Sequence, residues 1–138
     1  VGLVMPSEGT VFVSVKDSDK PQVLDAVRKL VECGFSIVAT GGTATYLAEA
    51  GVPVVRVNKV AEGRPHIVDK IEDGEIAMVF NTTEGWQSLK DSQSIRASTI
   101  EQKIPIFTTA AAATATADAI ASVVIADLEV KPLQDYYS

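Results

Sequence analysis

Short runs of β-branched residues alternate with helical patterns along the chain, and this alternation restricts the fold more than any other sequence feature. Each apolar run ends in a turn, and a segment with apolar residues at helical spacing follows it. This order is typical of βαβ units, in which parallel strands form a sheet covered by helices. We therefore predict an α/β fold with three layers, a parallel sheet flanked by helices.

The predicted strands are 10–15, 35–39, 54–57, 75–80 and 104–107. The predicted helices are 19–33, 44–51, 67–72, 87–102 and 110–121. Asp19 stands at an N-cap position and Pro21 in the first turn, both common where a helix begins. Residues 128–138 contain Pro132 and are expected to be extended or frayed.

Length and composition fit one folded, acidic domain. A chain of 138 residues can bury one substantial core but has no room for two complete domains. Hydrophobic residues make up 46% and charged residues 22%, which differs from the composition of disordered chains. The net charge of −6 repels polyanions, so nucleic acid is not an expected partner.

Few residues could form disulfides or bind metal. Cys33 is the only cysteine and His66 the only histidine, so neither an intramolecular disulfide nor a metal site is expected. No apolar run approaches the roughly 18 residues of a membrane span, and no signal peptide is evident. We expect a reducing, cytoplasmic location without a membrane partner. The start at Val1 suggests a segment of a longer chain.

Polar residues cluster where the predicted strands end. In open parallel sheets, ligands bind at this edge because loops there expose backbone N–H groups and helix N-termini together. The candidate ligand-binding residues are Ser14, Lys20, Thr40, Gly41, Gly42, Thr43, Lys59, Asn81, Thr82 and Thr83. No residue of the sequence stands out as catalytic.

The turn 40–43, Thr-Gly-Gly-Thr, follows the second strand. Its glycines allow close approach of the backbone to a ligand, and its hydroxyls can donate to phosphate oxygens. The alternative is a tight strand-to-helix turn in which Thr43 caps the helix. The spacing matches neither the dinucleotide-binding pattern nor the P-loop.

Lys20 and Lys59 follow different strands but could converge at the same edge, where two ammonium groups would balance a phosphate dianion. Taken singly, each lysine is also compatible with a solvated surface charge. The segment 81–83, Asn-Thr-Thr, could hold a ribose, a base edge or a phosphate, or it could cap the next helix.

Three further residues carry side chains that can act in catalysis or binding. We interpret His66 as structural, because no carboxylate or hydroxyl stands at a spacing that suggests a catalytic partner. Arg64 could reach a phosphate or an inter-domain carboxylate. Cys33, beside a glycine at a helix end, fits a buried small hydrophobic residue.

Several of these segments together resemble a known family. SVKDSDK at 14–20, ATGGTA at 39–44, VNKV at 57–60, EGRPHI at 62–67 and NTT at 81–83 occur in the order and spacing of that family. The resemblance is to the C-terminal allosteric domain of the carbamoyl-phosphate synthetase large subunit, of the methylglyoxal-synthase-like group, and it covers about residues 10–122. It implies residues 1–9 as a linker from a preceding synthetase domain and 10–138 as the allosteric domain.

The resemblance implies a regulatory domain without catalysis of its own, part of a glutamine-dependent ligase that makes carbamoyl phosphate for pyrimidine and arginine biosynthesis. UMP is implied as an inhibitor and IMP as an activator, and ornithine as a ligand at the domain border. No cofactor is implied in this domain, whereas the parent enzyme would use ATP with Mg or Mn. The implied protein partners are the rest of the large subunit and the glutamine amidotransferase small subunit.

The family's phosphate and ribose contacts fall here on Ser14, Lys20, Thr40, Thr43, Lys59, Asn81 and Thr83, and its ornithine contact falls on Thr108. Gly41 replaces a histidine that the family can carry in this turn, a change that frees the backbone. Ile106 stands where a tyrosine can shape the ornithine site, which weighs against an ornithine response.

The alternative function is that of methylglyoxal synthase, a lyase of the same fold that acts on dihydroxyacetone phosphate and needs a carboxylate base. That family carries the base in a Gly-Gly-Asp-Gln-Gln loop, whereas this chain has Glu-Gly-Arg-Pro-His at 62–66 and its nearest aspartate at Asp69. A third possibility, the cyclohydrolase domain of purine synthesis, continues into a longer segment.

Overall fold

The computed structural model describes residues 9–58, 66–83 and 85–137, with side chains for 9–58, 66–83 and 92–123. In chain order the elements are β1 (Thr10–Ser14), a 3-10 turn (Asp17–Asp19), α1 (Lys20–Glu32), β2 (Ser36–Thr40), α2 (Gly41–Glu49), β3 (Val55–Val57), α3 (Ile67–Glu72), β4 (Met78–Asn81), α4 (Gly85–Glu101), β5 (Ile106–Phe107) and α5 (Ala110–Tyr137). Every predicted strand and helix is present, and α3 has the predicted bounds.

The five strands form one parallel sheet in the order β3-β2-β1-β4-β5. The chain moves outward from β1 to β3 and then returns to the other side of β1 to form β4. The strand order therefore reverses between β1 and β4, where Ser14 pairs with Asn81. In open α/β sheets the crevice beyond the carboxyl ends of the strands at such a reversal is the usual place for a ligand.

Side chains alternate between the two faces of the sheet. On one face, Val11 and Val13 of β1 belong to a core cluster with residues of α1, α2 and α5. On the other face, Phe12 packs in a second cluster with residues of α3 and α4, including Ile71 and Ile95. Strands covered on both faces read as continuous apolar runs. The predicted three-layer α/β fold is confirmed.

Helix α1 shows why these segments fold as they do. Its buried residues Val23, Val27 and Leu30 recur at a spacing that places them on one side of the helix, toward the sheet. Pro21 stands in the first turn, where a missing N–H is tolerated. The helix ends at Glu32 with Cys33 as its C-cap, and Gly34 follows with φ +101°, a conformation that glycine adopts without a steric penalty. Asp19 occupies the N-cap position, but its side chain makes no capping hydrogen bond.

The expectation of an extended or frayed tail after residue 128 is wrong, because α5 continues from Ala110 to Tyr137. Alanine, leucine, glutamate and lysine around Pro132 are strong helix formers. A single proline removes one backbone hydrogen bond and bends a helix without necessarily ending it. In the described part of the chain, no helix is long and apolar enough to cross a membrane.

The amino-terminal half of α5 packs closely on α1, and a matched pair of variants tests this contact. Ala117 is fully buried in the cluster that contains Val27, whereas Ala115 of the same helix is exposed. Ala117→Leu should lower the free energy of unfolding by about 1–3 kcal/mol, because a well-packed core has no room for the added carbons. Ala115→Leu should change it by less than about 0.5 kcal/mol. Denaturant titration of both variants measures the difference, and equal effects would contradict this packing.

Candidate functional site

Three polar side chains lie side by side at the carboxyl edge of the sheet. Ser14, Thr40 and Asn81 are the last residues of β1, β2 and β4, which are neighbouring strands. By strand alternation they share the sheet face of Phe12, toward α3 and α4. Thr40 Oγ1 donates to Ser14 Oγ at 3.1 Å. We call Thr40, Ser14 and Asn81 the polar row.

Helix α4 contacts the polar row through Asn81. Asn81 is buried, and its Nδ2 donates to Ser92 Oγ at 2.9 Å. Ser92 is itself buried on the α4 side that faces the sheet. This bond fixes the orientation of the Asn81 amide at the point where the strand order reverses.

Two buried threonines join the neighbouring elements to the end of β1. Thr43 Oγ1 of α2 accepts from Val15 N at 3.2 Å and donates to Val15 O at 3.3 Å. Thr82 Oγ1, after β4, accepts from Lys16 N at 2.9 Å. A hydroxyl has one hydrogen to donate, so that of Thr43 is already used. Contact of Thr43 with a phosphate stays a prediction.

Helix α2 begins within the glycine turn rather than after it. Thr40 is the N-cap residue, with extended backbone and no side-chain hydrogen bond to the first turn. Gly41 has φ +35°, in the left-handed region that favours glycine. The first N–H groups of a helix have no partner within it and carry partial positive charge. The N-terminus of α2 therefore presents uncapped donors beside the polar row.

Lys20 brings a full positive charge to the same point. A Cβ built on Gly42 would lie 3.3 Å from Lys20 Nζ, so the ammonium rests against the first turn of α2. The Lys20 side chain is only 14% exposed. A cation at a helix N-terminus is electrostatically unfavourable unless an anion accompanies it. An anion placed here would contact both positive features at once.

In this structure the accompanying anion is a carboxylate of the same chain. Asp17 Oδ1 lies 2.6 Å from Lys20 Nζ, across one turn of the 3-10 segment. The hydrogen bond and the charge of Lys20 lower the pKa of Asp17, so this carboxylate stays ionised to a lower pH than an ordinary aspartate. Sequence reasoning missed Asp17, although its spacing of three residues from Lys20 was a usable signal.

The remaining candidates have different outcomes. Lys59 and Arg64 lie outside the described residues, so the convergence of two lysines stays a prediction of which only Lys20 is placed. Thr83 is half-buried next to Thr82, and Thr108 is exposed at the end of β5, one strand beyond the polar row. Their contacts with ligands stay predictions.

His66 takes a structural position at the start of α3. Its backbone N–H donates to Asp69 Oδ2 at 2.9 Å, and its Nδ1 lies 3.5 Å from the same oxygen. Cys33 is half-buried against the core rather than fully buried, and burial raises the pKa of its thiol. Within the described residues, no three His, Cys, Asp or Glu side chains meet in a way that could hold a metal.

Comparison with known sequences identifies relatives along almost the entire chain. The carbamoyl phosphate synthase large chain of Brucella suis is 52% identical over 136 residues, which are 99% of this chain and 12% of that protein. The large chain of Myxococcus xanthus is 52% identical over 135 residues. That of Pseudomonas putida is 51% identical over 117 residues. The chain therefore spans about 12% of the length of the curated relatives it matches.

A solved structure of a methylglyoxal synthase from Elizabethkingia anophelis has the same fold. It superimposes with a TM-score of 0.63, covering 86% of this chain and 80% of that one, at 23% identity. The family model of the MGS-like domain matches residues 22–108. This range runs from α1 to the end of β5 and includes the polar row except Ser14. The family indicated by the sequence motifs is confirmed: this chain belongs to the MGS-like domains.

Proposed function

We propose that this chain is the regulatory segment of a glutamine-dependent carbamoyl-phosphate synthase large subunit and binds nucleoside monophosphates, with UMP as inhibitor and IMP as activator. The similarity to carbamoyl phosphate synthase large chains over 99% of this chain supports the assignment of the parent enzyme. Its partners would be the rest of the large subunit and the amidotransferase small subunit. ATP with Mg or Mn would serve the parent enzyme outside this segment, in the synthesis of carbamoyl phosphate for pyrimidines and arginine.

The observation that carries this proposal is the position of the Lys20 ammonium against the uncapped N-terminus of α2. Phosphate groups bind at helix N-termini because several N–H groups converge there with a favourable dipole. A nearby ammonium adds a charge-assisted hydrogen bond, about twice as strong as a neutral one. A phosphate dianion can interact with both positive features at once, which a neutral metabolite cannot do as strongly.

The polar row supports the nucleoside part of the proposal. Ser14 and Asn81 lie at the end of adjacent strands, next to the phosphate position proposed at Gly42. A hydroxyl and an amide offer both donors and acceptors, as a ribose and a base edge require. Lys59 and Thr83 are expected to complete the site. Ornithine would bind separately, at the border with the rest of the large subunit, where exposed Thr108 follows β5.

Binding without catalysis is the function that the described carboxylates support. Methylglyoxal formation needs a carboxylate base within reach of the substrate and able to accept a proton. Asp17 is paired with Lys20, and Asp69 accepts the backbone N–H of His66. The proposed role is instead to shift the parent enzyme between states, for which coupling energies of about 1–3 kcal/mol are typical.

Calorimetric titration with UMP and IMP tests the proposal. Uridine and inosine, which lack the phosphate, are the matched controls, and turnover of dihydroxyacetone phosphate is assayed in parallel. We expect saturable binding of at least one monophosphate, no binding of the nucleosides at the same concentrations and no turnover. Turnover of dihydroxyacetone phosphate, or equal binding of nucleoside and nucleotide, would contradict the proposal.

Loss of the Lys20 charge should weaken nucleotide binding. Lys20→Met keeps an apolar stem but removes the ammonium beside α2, so UMP or IMP affinity should fall by about 1–3 kcal/mol. Lys29→Met removes the same charge from the other end of α1, where Lys29 pairs with Asp118. That control should leave affinity within about twofold, because exposed ion pairs and distant charges contribute little. Equal losses in the two variants would indicate a nonspecific charge effect.

Gly42→Ala should weaken nucleotide binding without lowering the free energy of unfolding. The added Cβ would lie 3.3 Å from Lys20 Nζ and displace the ammonium by a few tenths of an ångström. Nucleotide affinity should fall by roughly 0.5–1.5 kcal/mol, the net value of one hydrogen bond. The free energy of unfolding should stay equal or rise by up to about 1 kcal/mol, because alanine favours the helix over glycine. Calorimetry and denaturant titration measure the two quantities, and reduced stability with unchanged affinity would contradict this role of Gly42.

A further inference from the structure

We propose that Asp17 is an internal competitor for the phosphate, holding the Lys20 ammonium in the empty site and leaving it when a nucleotide binds. This inference rests on the proposed function, because it concerns the same anion position. The turn between β1 and α1 would then help to set the affinity of the site for phosphate.

The geometry of the pair favours this role. The Lys20 side chain is 14% exposed and its Nζ lies beside the first turn of α2, whereas the Asp17 side chain is 90% exposed. The start of the turn is anchored, because Lys16 N donates to Thr82 Oγ1. This hydrogen bond does not involve Asp17. Among the described residues, Lys20 is the only hydrogen-bond partner of the Asp17 carboxylate. The exposed carboxylate therefore has solvent to rotate into, whereas the sheltered lysine side chain has little.

The charges around the turn explain why a carboxylate is needed in the empty state. Lys20 lies beside the positive end of α2, an arrangement that is unfavourable without a counter-ion. Asp17 supplies that counter-ion from the solvent side. Lys16 and Asp19 form a second, looser pair at 3.9 Å, so the four charged residues of the turn sum to zero.

A phosphate and the Asp17 carboxylate would repel each other across the shared ammonium. Two like charges a few ångströms apart destabilise each other even at the effective dielectric constant of a protein surface. An aspartate is already ionised at neutral pH, and Lys20 lowers the pKa of Asp17 further. Binding of a dianion therefore requires release of Asp17, and the nucleotide affinity is lower than the site would give without this residue.

Asp17→Asn tests the competition, with Asp19→Asn as the matched control. Both variants remove one negative charge from the same 3-10 turn, but Asp19 pairs with Lys16, whereas Asp17 pairs with Lys20. The probes are UMP and inorganic phosphate, titrated calorimetrically into the protein and both variants, with uridine as the phosphate-free reference. Denaturant titration checks that each variant is folded.

Asp17→Asn should bind UMP and inorganic phosphate about three- to tenfold more tightly than the unchanged protein, a range set by loss of a competing exposed ion pair and of like-charge repulsion. Asp19→Asn should change both affinities by less than about twofold, a general charge effect. Asp17→Ala, which also removes the hydrogen-bond acceptor, should bind at least as tightly as Asp17→Asn.

The outcomes separate this inference from the proposed function. If UMP binds the unchanged protein but Asp17→Asn binds it equally or more weakly, Asp17 positions Lys20 instead of competing, and the inference is wrong while the proposed function stands. If inorganic phosphate binds more tightly to Asp17→Asn but UMP binds none of the proteins, the competition holds and the nucleotide assignment fails. If no phosphate species binds to any of them, both are overturned.

Discussion

The Lys20 ammonium lies against the first turn of α2, and the residues around it accommodate its charge and its size. Lys20 and the N-terminus of α2 are both positive, and a folded chain that brings them together must supply room and a counter-ion. Gly42 supplies the room, because a side chain there would press on Nζ. Asp17 supplies the counter-ion at 2.6 Å. Electrostatics therefore explains Asp17, Lys20 and Gly42 as much as packing does.

The topology of the sheet determines which side chains reach this point. Because the strand order reverses between β1 and β4, the ends of β2, β1 and β4 lie next to one another, with the polar row across them. Thr43 and Thr82 use their hydroxyls to hold α2 and the segment after β4 against the backbone that leaves β1. These hydrogen bonds hold the carboxyl edge of the sheet together. Each also satisfies a backbone N–H group that would be costly to bury without a partner.

Sequence patterns predicted the layers and the edge of the sheet but not the detailed use of each polar group. Helical spacing of Val23, Val27 and Leu30 is set by packing and can be recognised without coordinates. The hydrogen bond of Thr43 to Val15 could not be predicted in this way, because it joins residues 28 positions apart. Pro132 does not end the helix, because α5 continues past it to Tyr137. A proline inside a helix removes one backbone hydrogen bond and bends the helix, so the residue type alone does not predict a terminus.

The proposed competition would set the stability of the Asp17–Lys20 pair against the affinity of the site for an anion. Lys20 lowers the pKa of Asp17 in the folded protein, so their pairing favours folding above the usual pH range of carboxyl titration and is lost as the pH falls through that lowered pKa. Asp17 is fully exposed to solvent screening, and its pairing contributes correspondingly little to stability. In the proposed sensor, a weak counter-ion would neutralise the ammonium between binding events and would yield to a dianion whose two charges interact with Lys20 and α2 together.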